Sequence, residues 1–380
     1  MTYTNSHESI LWTSKSEIFA DSAPLLRKYD CPEFAVSLNA SWIYQLQDIS
    51  FSDHFNQVSL LQILQTLKHM KFLQSLQIHF ASHFGQLEIL TQHPTSSLPY
   101  ILLPRLQYIN LYSTASQSTC LQLLGCITPA PGCTVEFMAL HSVDSMDELD
   151  ESRKIFARLL RNYFILNPPK SFALSTHSYF FKLHDLAPTS APFYSLFTFA
   201  IRYMDWLSSH AEGLFLKSLM ESQFVTSLTL LKLTLPDDER HYGSDFLRFT
   251  QSLSSLTTLQ TGYMTVLYRL CQMPEVQPVP FPALKTLKIN ELGEVIPDTI
   301  HRFIAWRTTC GLPLALLDLT DRQVGVFREE DLRSLEAFVK LKVIWQGPNS
   351  IEEYVCGSGS PNRLYFPMRQ SPEEITGTEW

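Results

Sequence analysis

Leu103-Pro104-Arg105-Leu106-Gln107-Tyr108-Ile109-Asn110-Leu111-Tyr112 sets apolar residues at i, i+3, i+6 and i+8, in the form L-x-x-L-x-x-L-x-L. The spacing returns in Met70, Leu73, Leu76 and Ile78, in Val225, Leu228, Leu231 and Leu233, and in Phe281, Leu284, Leu287 and Ile289. A pattern that recurs with helix-like sequence between copies marks a solenoid, whose units bury their apolar faces against one another. The third apolar position of successive copies falls at Tyr29, Ile49, Leu76 and Ile109, then at Leu231, Leu259, Leu287, Leu317 and Ile344. Val135 and Phe137 form a weaker copy. These steps sit near the roughly 20–29 residues of a leucine-rich repeat, with a few insertions.

Between copies the apolar period lengthens to that of a helix. Residues Val58 to Met70 place Leu60, Leu61, Leu64 and Leu67 on one side. Ser145 to Phe164 carries acidic residues early and Arg158 and Arg161 late, matching the helix dipole. Thr299 to Thr308 and Arg328 to Val339 read the same way. Each unit is thus a short strand and a returning helix, which makes the strands parallel. The predicted fold is α/β: an irregular leucine-rich-repeat solenoid of about nine or ten units. A curved parallel sheet forms its concave face and helices its convex face. It occupies residues 1–345 and is irregular at 165–224, where Phe172-Ala173-Leu174 and Leu196 to Tyr203 read as strands and two degenerate repeats fit. Residues 346–380 form a C-terminal cap and polar tail, with Gly357-Ser358-Gly359-Ser360-Pro361 as a linker.

Composition narrows the function classes. Of 380 residues, 45% are hydrophobic and only 17% charged, so most of the chain is expected to be buried. The net charge of −8 opposes a general nucleic-acid binder or an anionic-membrane binder, which needs a basic face. The seven cysteines are irregularly spaced with no CxxC pair, so they read as structural thiols in a reducing compartment, cytoplasmic or nuclear. The first residues lack the basic and apolar regions of a signal peptide, and no run of about 18 apolar residues exists to span a membrane.

Few residues suggest chemistry. His177 and His184 stand seven apart beside Asp185, but Tyr179-Phe180-Phe181 between them and Pro188 beyond predict an irregular segment rather than a helical metal face. Asp237-Asp238-Glu239-Arg240-His241 reads as a solvated loop after a strand. No G-x-S-x-G, phosphate-binding glycine loop or H-E-x-x-H occurs. A non-enzymatic binding scaffold without a cofactor or metal is therefore expected. The alternative is a hydrolase whose site lies in the irregular middle region, with His177, His184 or Asp185 converging on a deep pocket.

Alternation along a strand gives the candidate binding surface. With Ile109 and Leu111 pointing inward, Tyr108, Asn110 and Tyr112 line the concave face. The same count adds Gln77, His79, Lys232, Lys288, Asn290 and Asp318, a polar stripe suited to a protein ligand. Tyr108 and Tyr112 are the expected anchors.

Phe19-Ala20-Asp21-Ser22-Ala23-Pro24-Leu25-Leu26-Arg27-Lys28, Ser41-Trp42-Ile43-Tyr44-Gln45-Leu46, Leu103 to Leu111 and Phe281-Pro282-Ala283-Leu284-Lys285-Thr286-Leu287 together resemble the fungal F-box/leucine-rich-repeat-like proteins. The resemblance covers roughly residues 18–345. It implies a solenoid whose repeats hold the substrate of a cullin ubiquitin ligase. The sequence carries no F-box-like stretch, so a Skp1-type adaptor is not expected to bind this chain. An exposed apolar edge is expected near Phe19, Leu25 and Leu26.

Overall fold

The computed structural model describes residues 23, 25–30, 38, 40–51, 59–80, 98–114, 117–166, 168–177, 179–186, 197–235, 243–262, 264–272, 278–290, 297–321, 330–347 and 349–366. Phe19 and the 237–241 run lie outside them. The strands are β1 (Lys28–Asp30), β2 (Asp48–Phe51), β3 (Ser75–Phe80), β4 (Ile101–Leu103), β5 (Tyr108–Ser113), β6 (Ile127–Pro129), β7 (Thr134–Val143), β8 (Ser171–His177) and β9 (Phe180–Asp185). They continue as β10 (Thr198–Tyr203), β11 (Leu230–Thr234), β12 (Thr258–Thr261), β13 (Thr286–Ile289), β14 (Leu316–Leu319), β15 (Glu330–Asp331), β16 (Lys342–Gln346), β17 (Ile351–Val355) and β18 (Tyr365–Phe366). The helices are α1 (Leu60–His69), α2 (Gln117–Cys126), α3 (Met146–Phe164), α4 (Ser208–Glu221), α5 (Ser244–Ser252), α6 (Met264–Gln272) and α7 (Pro297–Thr309).

Fourteen strands form one sheet in the order β1-β2-β3-β5-β7-β10-β9-β8-β11-β12-β13-β14-β16-β17. It is a mixed α/β structure, parallel except at β8–β9, β9–β10 and β16–β17. Register follows the leucine spacing: Ile49 pairs with Leu76, Leu76 with Ile109 and Ile109 with Val135, all buried. In the second half Leu231, Leu259, Leu287, Leu317 and Val343 continue this buried row. Ile344 was the expected last member, and the structure corrects it by one residue: Val343 is buried, and Ile344 faces the other side.

A second regularity lies at the strand entries. The Gln47 carbonyl accepts from the backbone N–H groups of Gln74 and Ser75, and the Gln74 carbonyl from Gln107 and Tyr108. The Thr229, Thr257 and Lys285 carbonyls do the same for Thr257 and Thr258, Lys285 and Thr286, and Ala315 and Leu316. One carbonyl per unit therefore holds the entry of the next strand. Side chains seal other turns. Arg307 of α7, fully buried, donates to the Pro280, Phe281 and Leu284 carbonyls at 3.1, 3.2 and 3.3 Å. These carbonyls belong to a turn where Phe281 takes a positive φ of 50°. Arg158 of α3 donates to the Leu124 and Gly125 carbonyls at the end of α2.

The helices start where the sequence provides caps. Ser59 and Gln62 form a reciprocal capping box on α1, at 3.2 and 2.9 Å. Ser145 accepts from the Glu148 N–H at the start of α3, with Asp147 and Glu148 in its first turn. The expected helix over Arg328–Val339 is replaced, within its described part, by β15 and a 3-10 turn at Arg333–Ala337. There Asp331 draws in both the backbone N–H and the guanidinium of Arg333, a local bonding pattern that competes with an α-helix.

The irregular middle holds an antiparallel meander, not two degenerate parallel repeats. From β7 the chain passes along α3 and enters the sheet at β8, leaving two places open. Only two residues separate β8 from β9, too few to cross the sheet, so the chain reverses. β9 and β10 then fill the gap back toward β7. Beneath the meander the core turns from leucine to phenylalanine. Phe156, Phe181, Phe199 and Phe215 interlock, with Phe181 stacked on Phe215 at 4.5 Å and Phe156 against Phe199 at 4.7 Å.

At the far end Gly357 to Pro361 is a packed turn rather than a linker. Gly357 and Gly359 take positive φ values of 86° and 89°, and the Gly359 N–H donates to Glu336 at 2.9 Å. Tyr354 of β17 donates its hydroxyl to the same carboxylate. At the near end Leu25 is 88% exposed, whereas Leu26 packs partly against the core.

Candidate functional site

The face of the sheet opposite the leucine rows carries polar side chains. One row crosses all fourteen strands: Asp30, Ser50, Gln77, Asn110, Glu136, Thr198, His184, Ala173, Lys232, Gln260, Lys288, Asp318, Ile344 and Glu353. Each is paired in register with the next. Each is half-buried or exposed, while the residues beside them on the same strands point into the core. Five of the expected surface residues, Gln77, Asn110, Lys232, Lys288 and Asp318, lie on this row. His79 and Tyr112 lie two residues further along, paired with one another and with Met138.

Two expected positions differ in exposure. Tyr108 is only 8% exposed, its ring covered and its hydroxyl donating to Glu136 at 2.9 Å. It supports the Glu136 carboxylate and is not a free anchor. Asn290 is 5% exposed and accepts from Gln260, which also donates to Asp321 at 3.0 Å. Lys288 pairs with Asp321 at 2.8 Å. Asp318 accepts from the backbone N–H and the hydroxyl of Thr320. Gln260, Asn290, Asp321 and Lys288 therefore form a connected polar network in the second half of the row.

At the meander the face is deeper. Where β3, β5, β7, β10 and β9 meet, a depression of about 480 Å3 opens, lined by His79, Asn110, Tyr112, Glu136, Phe137, Met138, Lys182, His184 and Thr198. The His79 and Tyr112 rings meet edge-on at 6.0 Å. His184 Nδ1 lies 2.7 Å from the Thr198 hydroxyl. Partial burial, then the charges of Lys182 and Lys232, lower the His184 pKa. Sequence reasoning missed Glu136, Met138, Lys182 and Thr198, because they belong to the weak copy and the irregular segment. Alternation from Phe181 and Phe199 would have found Lys182 and Thr198 once those were known to be strands.

Comparison with known proteins gives no matching family model and no matching curated sequence. The site is read from its own chemistry.

His184 and Asp185 are neighbours on β9 and therefore point to opposite faces. Asp185 is buried in the core and accepts from the Tyr163 hydroxyl at 2.9 Å. It cannot orient His184, whose charged surroundings are Lys182 and Lys232. A histidine beside two ammonium groups is a poor general base and suits an anion better. The buried thiols are held protonated, Cys120 and Cys133 both pushed up to about 12 by burial. Among the described residues no group of three or more metal-ligating side chains converges, and no helix is long and apolar enough to cross a membrane.

Proposed function

We propose that this chain is an irregular leucine-rich-repeat solenoid that acts as a non-enzymatic protein-interaction scaffold and holds a protein ligand on the polar face of its sheet. The observation that carries the reading is the row of fourteen residues in continuous register from Asp30 to Glu353. Such a row is a long surface of mixed polarity, whereas catalysis concentrates chemistry at one point. The shared carbonyl at successive strand entries supports stacked units. Helices about 10 Å across on one face and strands about 4.8 Å apart favour a curved sheet, concave on the polar side. The separation of His184 from Asp185 favours this reading over a hydrolase.

By its resemblance to fungal F-box/leucine-rich-repeat-like proteins, the chain is assigned the substrate-recognition role of such a ligase component. A reducing compartment, cytoplasmic or nuclear, fits the buried free thiols.

Affinity purification from the native cell tests the reading. His79→Ala combined with Tyr112→Ala removes the two exposed rings of the depression, each worth roughly 1–3 kcal/mol at an interface centre. Loss of a partner recovered by the parent chain supports the scaffold. Retention of every partner refutes this placement of the surface.

A further inference from the structure

In a chain of net charge −8, the middle of the polar row is cationic. Lys182 of β9 and Lys232 of β11 flank His184, close enough for both charges to act on its ring. Neither lysine has an ion-pair partner among the described residues. Lys288, further along the row, is neutralised by Asp321 at 2.8 Å. Arg202 of β10, exposed on the same side, lies over the Tyr179 ring at 4.9 Å. Two neighbouring ammonium groups without a counter-ion on an otherwise acidic chain attract an incoming anion. Beside them the lining of the depression includes the apolar and aromatic side chains of Met138 and Tyr112.

We propose that the meander binds an acidic protein segment in extended form, a carboxylate seating between Lys182 and Lys232 against His184 and the apolar side chain two residues away entering the depression over Met138 and Tyr112. This rests on the scaffold reading and names the chemistry of its partner. A carboxylate fits better than a phosphate group or nucleic acid. The Glu136 carboxylate lines the same depression and repels a phosphate dianion more strongly than a single carboxylate. The end members of the row, Asp30 and Glu353, are acidic, so charge complementarity centres an acidic segment on the meander. The groups facing His184 are Lys182 on its own strand, Thr198 on β10, Ala173 on β8, and, further along, Lys232 on β11 and Glu136 on β7. Protonation of His184 adds a third positive charge to this set, so binding strengthens as pH falls through its lowered pKa.

The test uses the full chain and a fluorescein-labelled peptide of repeating Glu-Ser-Phe-Ser, which in extended form presents glutamate and phenylalanine on one face, read by fluorescence anisotropy. We expect saturable binding that weakens with salt. Lys182→Glu combined with Lys232→Glu should reduce affinity about tenfold or more. Glu136→Gln should increase it, and Lys217→Glu, the same charge reversal on exposed α4, should leave it unchanged. Circular dichroism confirms that the variants fold. The inference is overturned if the peptide does not bind, or if a repeating Gln-Ser-Phe-Ser peptide binds as well. Tighter binding of a phosphorylated peptide or a single-stranded oligonucleotide overturns it too. If the peptide fails while His79→Ala with Tyr112→Ala still loses its cellular partner, the scaffold reading stands and only the acidic ligand falls.

Discussion

Replacing Phe215 with alanine tests whether the meander is packed as a unit. Phe215 is fully buried on α4. Its ring stacks on Phe181 of β9 at 4.5 Å and meets Phe156 of α3 at 5.4 Å and Phe199 of β10 at 5.9 Å. Removing a buried phenylalanine costs about 3–5 kcal/mol through lost transfer energy and the cavity left behind. Three aromatic partners on three elements place this site in the upper part of that range, so we expect about 4 kcal/mol. Phe215→Leu keeps most of the volume and should cost about 1.5 kcal/mol. Urea unfolding measures the loss, and amide exchange locates it, since a chain of this size need not unfold as one unit. Faster exchange should appear in β8, β9 and β10, and a cycle with Phe181→Ala should give a coupling of about 0.5–1.5 kcal/mol. A loss below about 1.5 kcal/mol for Phe215→Ala, or an effect confined to α4, would refute the interlocked aromatic layer.

Arg307→Ala takes the side-chain donor from the buried Pro280 and Leu284 carbonyls, while the Phe281 carbonyl keeps the Leu284 N–H, and should cost about 3 kcal/mol in chemical denaturation. Arg307→Lys should recover less than half, because one ammonium cannot span all three. Ser59→Ala removes the α1 cap and should cost about 1 kcal/mol in the same assay. Arg333 holds the Asp331 carboxyl down to about 2, chiefly through side-chain and backbone hydrogen bonds. A depressed acid contributes stability above its unfolded pKa and loses it as pH falls through the folded one. The stability difference between the parent and Asp331→Asn should therefore hold at neutral pH, stay near 0.2–1 kcal/mol because the pair is exposed, and fade toward pH 2. In thiol labelling of the folded chain, exposed Cys310 should react, while Cys120 and Cys133 should react only on unfolding.

The regular units were legible because leucine spacing encodes both strand register and the buried face. Leu231, Leu259, Leu287 and Leu317 stand opposite one another in the sheet as they do in the spacing. The meander was legible only in part: Phe172-Ala173-Leu174 and Leu196 to Tyr203 read as strands, as β8 and β10 are, but β9 and the reversal did not show. Its aromatic residues satisfy neither the leucine spacing nor a clean helical period, and the reversal depends on two residues between β8 and β9. Counting alternation found Gln77, Asn110, Lys232, Lys288 and Asp318, since one buried neighbour fixes the face of each. It did not reveal that Tyr108 and Asn290 are covered, because cover comes from side chains on adjacent strands. The depression draws a third of its lining from β9 and β10, distant in sequence from β3, β5 and β7, and spacing carries no record of that meeting.

The most direct test of the binding face is a photocrosslinking amino acid placed in the native cell at Gln260, on the polar row, and separately at Lys217, on the exposed side of α4. We expect discrete protein adducts from position 260 and none from position 217. Adducts from 217 with none from 260 would contradict the account and move the binding surface to the helices.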